Sequence, residues 1–249
     1  SLDFLHLQSG KGKAMIDLHS HILPKMDDGS KSVEESEALL KMLKDQGVST
    51  VVMTPHFYAF QEDPAHFIKR RTAAAERLQP VMDQSGLKIH LGAEVHFYSG
   101  ISETDLTPLL IEGTDLVLVE MPFGRWDERT VNEIIDLSAK YTVVLAHIER
   151  YFQWQPVSKP VWDVLERAGV LFQVNCSAVL QGWKSHKIIK LFEKEKIAFL
   201  SSDAHNLQHR PPRFDEACTV LKKKLSNSQL DRLFRNSENI FSAHASSNG

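Results

Sequence analysis

Short runs of apolar, β-branched residues recur along the whole chain. Seven runs begin 26 to 38 residues apart: MIDLH from Met15, TVVMT from Thr50, KIHLG from Lys88, DLVLV from Asp115, TVVLA from Thr142, LFQVN from Leu171 and IAFLS from Ile197. Each run has the length of a strand, and its near-continuous hydrophobicity is typical of a strand that is buried on both faces. The pattern therefore predicts a parallel sheet.

Between most of these strands lie segments whose apolar residues recur with the period of an α-helix. They predict helices over residues 32–46, 64–85, 128–140, 161–168 and 185–194, and two closing helices over residues 213–225 and 228–235. The first helix opens at Ser32 with the capping-box pattern SVEE. Residues 94–112 show no clear helical period and predict a loop with a short helix.

Strands that alternate with helices predict an α/β fold. Seven repeats without a Gly-x-Gly-x-x-Gly turn or a P-loop lysine favour a TIM-like barrel, (β/α)7, and the alternative is a doubly wound open sheet. No change of composition divides the chain, which predicts a single domain over residues 15–249. Residues 1–14 are interpreted as an N-terminal arm or a remnant of cloning.

The composition narrows the classes of protein to which the chain belongs. A net charge of −3 and a pI near 6.5 disfavour a nucleic-acid-binding protein. No apolar run reaches the roughly 18 residues that a membrane helix needs, and residues 1–14 lack the features of a signal peptide. Cys176 and Cys218 lie beside apolar residues and predict buried free thiols, which fit a cytoplasmic protein.

Ionisable side chains follow six of the seven predicted strands. A single histidine at a strand end is more often a structural residue, and a single aspartate is more often a helix N-cap. Because the carboxyl ends of parallel strands meet at one rim, burying many charges there is costly unless cations neutralise them. The set therefore predicts two or three divalent metal ions, and imidazole mixed with carboxylate favours Mn, Zn or Fe. In chain order its members are His19, His21, Asp27 and Asp28, then His56, Glu94, Glu120, His147, Asp203 and His205.

Two arginines extend the predicted site. Arg150 lies three residues after His147, and Arg210 lies five residues after His205. An arginine beside a metal cluster commonly holds a phosphate oxyanion through bidentate hydrogen bonds. The alternative for each is a surface residue or an ion pair, and Arg125 is a weaker third candidate. These arginines predict a phosphate ester as the substrate.

The motifs DLHSHILPKMDDG, TPH, GAE, AHIERY and SDAHNLQHRPP, in this order, resemble the polymerase and histidinol phosphatase superfamily. More narrowly, they resemble the manganese-dependent bacterial protein-tyrosine phosphatases encoded with capsule and exopolysaccharide genes. The resemblance spans residues 15–241 and implies a distorted seven-stranded barrel with a trinuclear site. The implied ligands are His19, His21, Asp28, His56, Glu94, Glu120, His147, Asp203 and His205.

Two details of the implied site depend on single residues. Asp28, directly before Gly29, matches the acid of the family motif, so Asp27 is expected to support the turn instead. Glu94 is expected to bridge two ions. The chain departs from the family in a longer N-terminal arm and in the LPKM segment, and neither departure changes an implied ligand.

The resemblance implies a function as well as a fold. The expected substrate is the tyrosine-phosphorylated tail of a bacterial autokinase that controls polysaccharide export. A water activated by two metals is expected to supply hydroxide, which attacks phosphorus in line while Arg150 and Arg210 stabilise the phosphoryl oxygens. The tyrosine leaving group has a pKa of about 10 and needs less protonation than an alkoxide.

Several other functions are alternatives to this one. A cysteine-dependent phosphatase is excluded because it needs an arginine six positions after its cysteine, where this chain has Gly182 and Lys224. A phosphatase of the histidinol-phosphate type and a nucleic-acid phosphoesterase would use the same metal site. A non-catalytic metal-binding or kinase-docking module is expected to lack some of the ligands, and none of the implied ligands is missing.

Overall fold

The computed structural model describes residues 14–245, along which strands and helices alternate as the sequence predicts. The seven predicted strands are present, and β3 and β5 are two additional short strands. The predicted arm, residues 1–14, lies outside the described residues apart from Ala14. The strands are β1 (Met15–Asp17), β2 (Val48–Met53), β3 (His56–Phe57), β4 (Lys88–Leu91), β5 (Glu94–His96), β6 (Leu116–Glu120), β7 (Thr142–Leu145), β8 (Leu171–Asn175) and β9 (Phe199–Ser201).

The described residues form the seven predicted helices and one further short helix, α5. The last helix continues to Ala245, ten residues beyond its predicted end at residue 235. The predicted loop over residues 94–112 contains β5 and two 3-10 turns, Ile101–Glu103 and Thr107–Leu109. The helices are α1 (Val33–Asp45), α2 (Pro64–Ser85), α3 (Glu128–Ser138), α4 (Pro160–Arg167), α5 (Cys176–Val179), α6 (His186–Glu193), α7 (Phe214–Lys222) and α8 (Asn227–Ala245).

Local sequence explains where the first two long helices begin. The Ser32 side chain caps α1 by accepting a hydrogen bond from the backbone N–H of Glu35. The carboxylate of Glu35 accepts from the backbone N–H of Lys31, so only the serine half of the predicted capping box is formed. Asp63 caps α2 in the same way, and Pro64 occupies the first helical position, where its missing N–H costs nothing.

All strand pairs in the sheet are parallel. One sheet has the order β1-β2-β4, and the second has the order β3-β5-β6-β7-β8-β9. The two sheets are continuous along the chain, because β3 follows β2 and β5 follows β4 after gaps of two residues. Within these gaps, the Gly92 N–H donates to Met53 O at 2.9 Å and the Glu94 N–H donates to Pro55 O at 3.0 Å. The result is an α/β fold with a curled parallel sheet.

The first and last strands approach each other at their carboxyl ends. Ser20 and Ala204 form a parallel β-bridge there. The His21 N–H donates to Ala204 O, and the Asp203 N–H donates to His19 O, each at 2.8 Å. The curl of the sheet therefore brings residues from the two ends of the domain into direct backbone contact.

Successive side chains of a strand point to opposite faces of the sheet, and this alternation separates two apolar clusters. In β6, Val117 and Val119 belong to the larger cluster, which also contains the buried faces of the helices. Leu116 and Leu118 belong to a smaller cluster that is built mainly from strand residues and lies inside the curl of the sheet. Glu120 follows Leu118 by two residues and so lies on the same inner side, at the carboxyl end of the strand.

Two further expectations concern the cysteines and membrane-spanning helices. Cys176 and Cys218 are buried free thiols, as predicted, and burial raises the pKa of Cys218 to about 12. Among residues 14–245, the structure contains no helix of the length and hydropathy that a membrane span requires.

The inner apolar cluster generates a prediction about stability. Leu118 is 1% exposed, and Leu118→Ala is expected to lower the free energy of unfolding by about 2–5 kcal/mol because it leaves a cavity within the curl of the sheet. Urea denaturation in the presence of a chelator measures this change without a contribution from bound metal. Leu207, which is 40% exposed, supplies the matched control, and Leu207→Ala is expected to change the free energy by less than about 0.5 kcal/mol. Equal losses in the two variants would contradict the described core.

Candidate metal centre

The residues that follow the predicted strands meet at the carboxyl edge of the sheet. His19 and His21 follow β1, Asp203 and His205 follow β9, and His147 follows β7. His56 and Glu94 begin the short strands β3 and β5, and Glu120 ends β6. All of them are buried except His56, which is partly buried. Asp28 is the exposed member of the implied set, with 63% of its side chain accessible.

Backbone conformation helps to turn two of these side chains into the site. His147 has φ of 34° and Asp203 has φ of 52°, in the left-handed region that residues other than glycine rarely adopt. Each position lies two residues after the end of a strand, β7 for His147 and β9 for Asp203. Such strain persists only where the surrounding contacts hold it, and it is concentrated at functional sites.

Glu94 lies at the centre of the group. Its Oε2 is 3.2 Å from His19 Nε2 and 3.1 Å from His21 Nε2, and these two nitrogens are 3.1 Å apart. Asp203 Oδ1 lies 3.5 Å from both of the same nitrogens. His19, His21 and Glu94 therefore form one group of converging ligand atoms, with Asp203 at its edge.

A second group lies on the other side of Glu94. Glu94 Oε2 is 3.0 Å from His56 Nδ1, and Glu94 Oε1 is 2.8 Å from His147 Nε2. The Glu120 carboxylate lies 3.5 Å from His147 Nε2 and 3.9 Å from His56 Nδ1. Glu94 is thus shared between two groups, in the place expected of a bridging carboxylate.

The third group contains Asp28. Its Oδ1 lies 3.3 Å from His205 Nε2 and 3.5 Å from His56 Nε2. The ring of His21 lies 4.0 Å from that of His205, and its ligand atom completes this group. His21 and His56 each belong to two of the three groups, so the groups form one continuous cluster.

The spacing of these atoms fits bound cations. An ion with bonds of about 2.1 Å holds adjacent ligand atoms about 3.0–3.4 Å apart, and the three separations among His19 Nε2, His21 Nε2 and Glu94 Oε2 fall in this range. His56 Nδ1 and His205 Nε2 are buried and have no hydrogen-bond partner, although carboxylate oxygens lie 3.0 Å and 3.3 Å away. A buried nitrogen without a hydrogen bond is costly, and coordination of a cation removes that cost.

The electrostatics of the cluster favour positive charge at its centre. Burial opposes a charge on His56, but Glu94 and Asp28 outweigh burial and raise the pKa of His56 to about 12. Burial likewise opposes a charge on His21, and Asp27 raises the pKa of His21 to about 9. Despite its own burial, Glu94 has a pKa held well below its usual range by His19 and His56. Divalent cations supply the positive charge that these carboxylates favour.

Asp27 and Asp28 have different surroundings. Asp27 Oδ2 lies 2.7 Å from His21 Nδ1 and accepts a hydrogen bond from the backbone N–H of His56. Asp27 Oδ1 accepts from the backbone N–H of Gly29, which closes the turn. A carboxylate on Nδ1 orients a histidine and leaves Nε2 free to bind a metal. Asp27 therefore occupies a supporting position, and Asp28 lies among the ligand atoms.

Gln173 and Tyr151 support ligand histidines, and Gln173 is not predicted from the sequence. Gln173 Oε1 lies 3.2 Å from His19 Nδ1 and accepts a hydrogen bond from the backbone N–H of His147 at 2.8 Å. The buried hydroxyl of Tyr151 lies 3.3 Å from His147 Nδ1. The one sequence signal for Gln173 is a polar residue inside the apolar run LFQVN.

Arg150 and Arg210 converge on one carboxylate oxygen. The Nη2 atom of each donates to Asp203 Oδ2 at 2.7 Å. Each side chain is about one-third exposed, at 33% and 35%, so each guanidinium also reaches the open side of the cluster. Arg125 is exposed on the loop that follows β6.

Comparison with known proteins places the chain among metal-dependent phosphatases. Over 236 residues it is 30% identical to tyrosine-protein phosphatase YwqE of Bacillus subtilis, covering 90% of each chain. A solved structure from work on YwqE of Bacillus subtilis and CpsB of Streptococcus pneumoniae, described as unique metal-dependent tyrosine phosphatases, superposes with a TM-score of 0.80. Its sequence identity is 27%, and the match covers 91% of this chain and 94% of that one.

More distant similarity concerns the fold alone. The phosphotriesterase homology protein of Escherichia coli superposes with a TM-score of 0.55 at 12% identity, over 92% of this chain and 99% of that one.

The family model for capsular polysaccharide synthesis, CpsB/CapC, matches residues 15–242. That range includes every strand, every implied ligand and both arginines described above. The chain therefore belongs to the CpsB/CapC family of capsular polysaccharide synthesis proteins.

Proposed function

We propose that this protein is a metal-dependent protein-tyrosine phosphatase that hydrolyses the phosphate monoester of tyrosine. The observation that carries the proposal is the cluster of three overlapping ligand groups around Glu94, with two arginines on one edge of it. The family supports the same conclusion, because its relatives YwqE and CpsB are named tyrosine-protein phosphatases.

The proposed cofactor is a set of two or three divalent ions, with manganese favoured and iron or zinc as alternatives. Mixed imidazole and carboxylate donors suit these metals better than magnesium or calcium. When bound, such ions lower the pKa of water and withdraw negative charge from phosphoryl oxygens. The proposed ligands are His19, His21, Asp28, His56, Glu94, Glu120, His147, Asp203 and His205.

In the proposed reaction, the chain's own residues hold the phosphoryl group. Arg150 and Arg210 are proposed to bind its equatorial oxygens, because both guanidinium groups are partly exposed beside the cluster. A water oxygen bonds to phosphorus, the bond from phosphorus to the tyrosine oxygen breaks, and the phenolate leaves with the bonding pair. A phenolate with a pKa of about 10 needs less protonation by the enzyme than an alkoxide does.

We also propose that the curled sheet is a closed and distorted seven-stranded barrel. In this description, β2 with β3 and β4 with β5 each count as one interrupted strand. The bridge between Ser20 and Ala204 supports closure between the first and last strands. Closure is functionally relevant because it sets His19 and His21 beside Asp203.

The proposed protein substrate is the tyrosine-phosphorylated tail of a bacterial autokinase that controls polysaccharide export. The family description, capsular polysaccharide synthesis, supports this choice. The proposed location is the cytoplasm, where buried free thiols such as Cys176 and Cys218 remain reduced. Nucleic acid is not proposed as a substrate, because the chain carries a net charge of −3.

A comparison of three substrates tests the proposed function. After addition of Mn²⁺, the protein is expected to hydrolyse a phosphotyrosine peptide with a higher kcat/KM than histidinol phosphate or a dinucleotide. Phosphate release measured under one set of conditions gives the three values. An inert peptide combined with rapid turnover of histidinol phosphate would contradict the tyrosine-phosphatase proposal and support a small-molecule phosphatase on the same metal site.

The role proposed for Arg150 is tested by changing its charge and its shape separately. Arg150→Ala is expected to lower kcat/KM for the phosphotyrosine peptide at least about 10-fold, because a charge-assisted hydrogen bond contributes about 1.5–3 kcal/mol. Arg150→Lys keeps the charge but loses the planar fork, and is expected to recover only part of that loss.

Metal content separates this role from a role in metal binding. Elemental analysis is expected to find the wild-type number of ions in Arg150→Ala, because the arginine contacts Asp203 without being a ligand itself. Arg129, which is 77% exposed on α3, supplies the control variant Arg129→Ala with unchanged kinetics. Unchanged kinetics in Arg150→Ala would remove Arg150 from the mechanism.

A further inference from the structure

Exposed apolar side chains are concentrated on one side of the molecule. Among the described residues, the four exposed large hydrophobic side chains are Phe60, Phe123, Trp183 and Leu207. Each lies in a connection that follows the carboxyl end of a strand, namely β3, β6, β8 and β9. Of these four side chains, Phe60 and Phe123 are connected by ring contacts to histidines of the candidate metal centre.

Phe60 is connected to the cluster through Tyr58. The Phe60 side chain is 78% exposed, and its ring centroid lies 5.5 Å from that of Tyr58. Tyr58 stacks on His56, with centroids 5.2 Å apart and ring planes inclined by 30°. It also lies 5.3 Å from His96, whose Nδ1 is 3.0 Å from Glu120 Oε2. The ring of Tyr58 therefore lies between Phe60 and two residues of the site, the ligand His56 and His96, which contacts Glu120.

Phe123 is connected to the cluster through Tyr151 in a similar way. Its side chain is 58% exposed and lies 6.1 Å from Tyr151 and 5.9 Å from Trp154. The ring of the buried Tyr151 lies 5.8 Å from that of His147. His56 and His147 both contact the carboxylate of Glu94. The two phenylalanines thus approach the same shared carboxylate along two different aromatic contacts.

We infer that Phe60 and Phe123 form an aromatic subsite that binds the phenyl ring of phosphotyrosine while the phosphate lies at the metal cluster. This inference rests on the proposed function and names residues that select for its substrate. The ring of an aryl phosphate is joined directly to the ester oxygen, so it must lie close to the site that holds the phosphate. Phe60 and Phe123 are both exposed, and one tyrosine ring separates each of them from a ligand histidine.

The supporting contacts make these phenylalanines suitable for binding an aromatic ring. Tyr58 and Tyr151 are more buried than the phenylalanines and pack against them. This packing restricts the phenylalanine side chains, so they lose less conformational entropy when a ligand binds. Aromatic pairs prefer tilted or offset arrangements with centroids 4.5–7 Å apart, and the Phe60 and Phe123 contacts already have this geometry. A phosphoserine side chain carries no ring and gains nothing from such a subsite.

The experiment compares two peptides that differ only in carrying phosphotyrosine or phosphoserine, with Mn²⁺ present. Phe60→Ala and Phe123→Ala are each expected to raise KM for the phosphotyrosine peptide about 2- to 10-fold while changing kcat little. Kinetics on the phosphoserine peptide are expected to stay constant, so the selectivity ratio falls. Phenyl phosphate and glycerol phosphate repeat the comparison without a peptide.

Further variants separate an aromatic contact from a merely apolar one. Phe123→Tyr is expected to retain selectivity for the aryl ester, whereas Phe123→Leu is expected to lose it. Trp183→Ala is the matched control, because Trp183 is 84% exposed and its ring contacts the side-chain nitrogen of Lys184 at 5.8 Å. Its selectivity is expected to equal that of the wild type.

Two failures are distinguishable in this design. If the wild type hydrolyses the phosphotyrosine peptide and the selectivity of Phe60→Ala and Phe123→Ala is unchanged, the aromatic subsite is wrong and the proposed function stands. An equal loss of selectivity in Trp183→Ala would also overturn the subsite. If the wild type with Mn²⁺ hydrolyses no phosphotyrosine peptide, both the proposed function and the aromatic subsite are wrong.

Discussion

The buried carboxylate of Glu94 is the contact on which the arrangement of this site depends. Nitrogens of His19, His21, His56 and His147 lie within 3.2 Å of its two oxygens, and they come from strands on different parts of the sheet. An ionised carboxylate at 1% exposure is costly unless cations or donors compensate its charge. A neutral imidazole offers this carboxylate at most one N–H donor, whereas divalent ions compensate its charge directly. The buried charge of Glu94, which is costly by itself, therefore favours the binding of metal ions.

The curled sheet gives this carboxylate its neighbours. Parallel strands present their carboxyl ends on one side, and the bridge between Ser20 and Ala204 joins the ends of β1 and β9. Mainly aliphatic side chains fill the space inside the curl, so the ligands lie at one end of an apolar cluster. Left-handed backbone at His147 and Asp203 then directs two side chains inward. Fold stability and site geometry are linked, because the strained residues depend on the packing around them.

Much of this arrangement could be predicted from the sequence because it follows from local patterns. The seven apolar runs mark the strands, and an ionisable residue at the end of six of the runs, or within two residues after it, marks the rim. Other features depend on tertiary contacts and leave little trace in the sequence. The strands β3 and β5 are too short to show a period, and Gln173 is one polar residue within an apolar run. The exposure of Phe60 and Phe123 became apparent only from the structure, because an aromatic residue in a loop is as often buried.

Metal content measured together with activity tests the central claim most directly. Protein purified without added metal is expected to contain two or three transition-metal ions per chain by elemental analysis, with phosphotyrosine hydrolysis that is lost on chelation and restored by Mn²⁺. Asp203→Asn keeps the shape of the side chain but removes its charge, and is expected to lose both metal and activity, whereas Asp83→Asn on α2 retains both. A wild-type protein that binds less than one ion per chain, even after Mn²⁺ is added, and hydrolyses phosphotyrosine in the presence of a chelator would contradict the account.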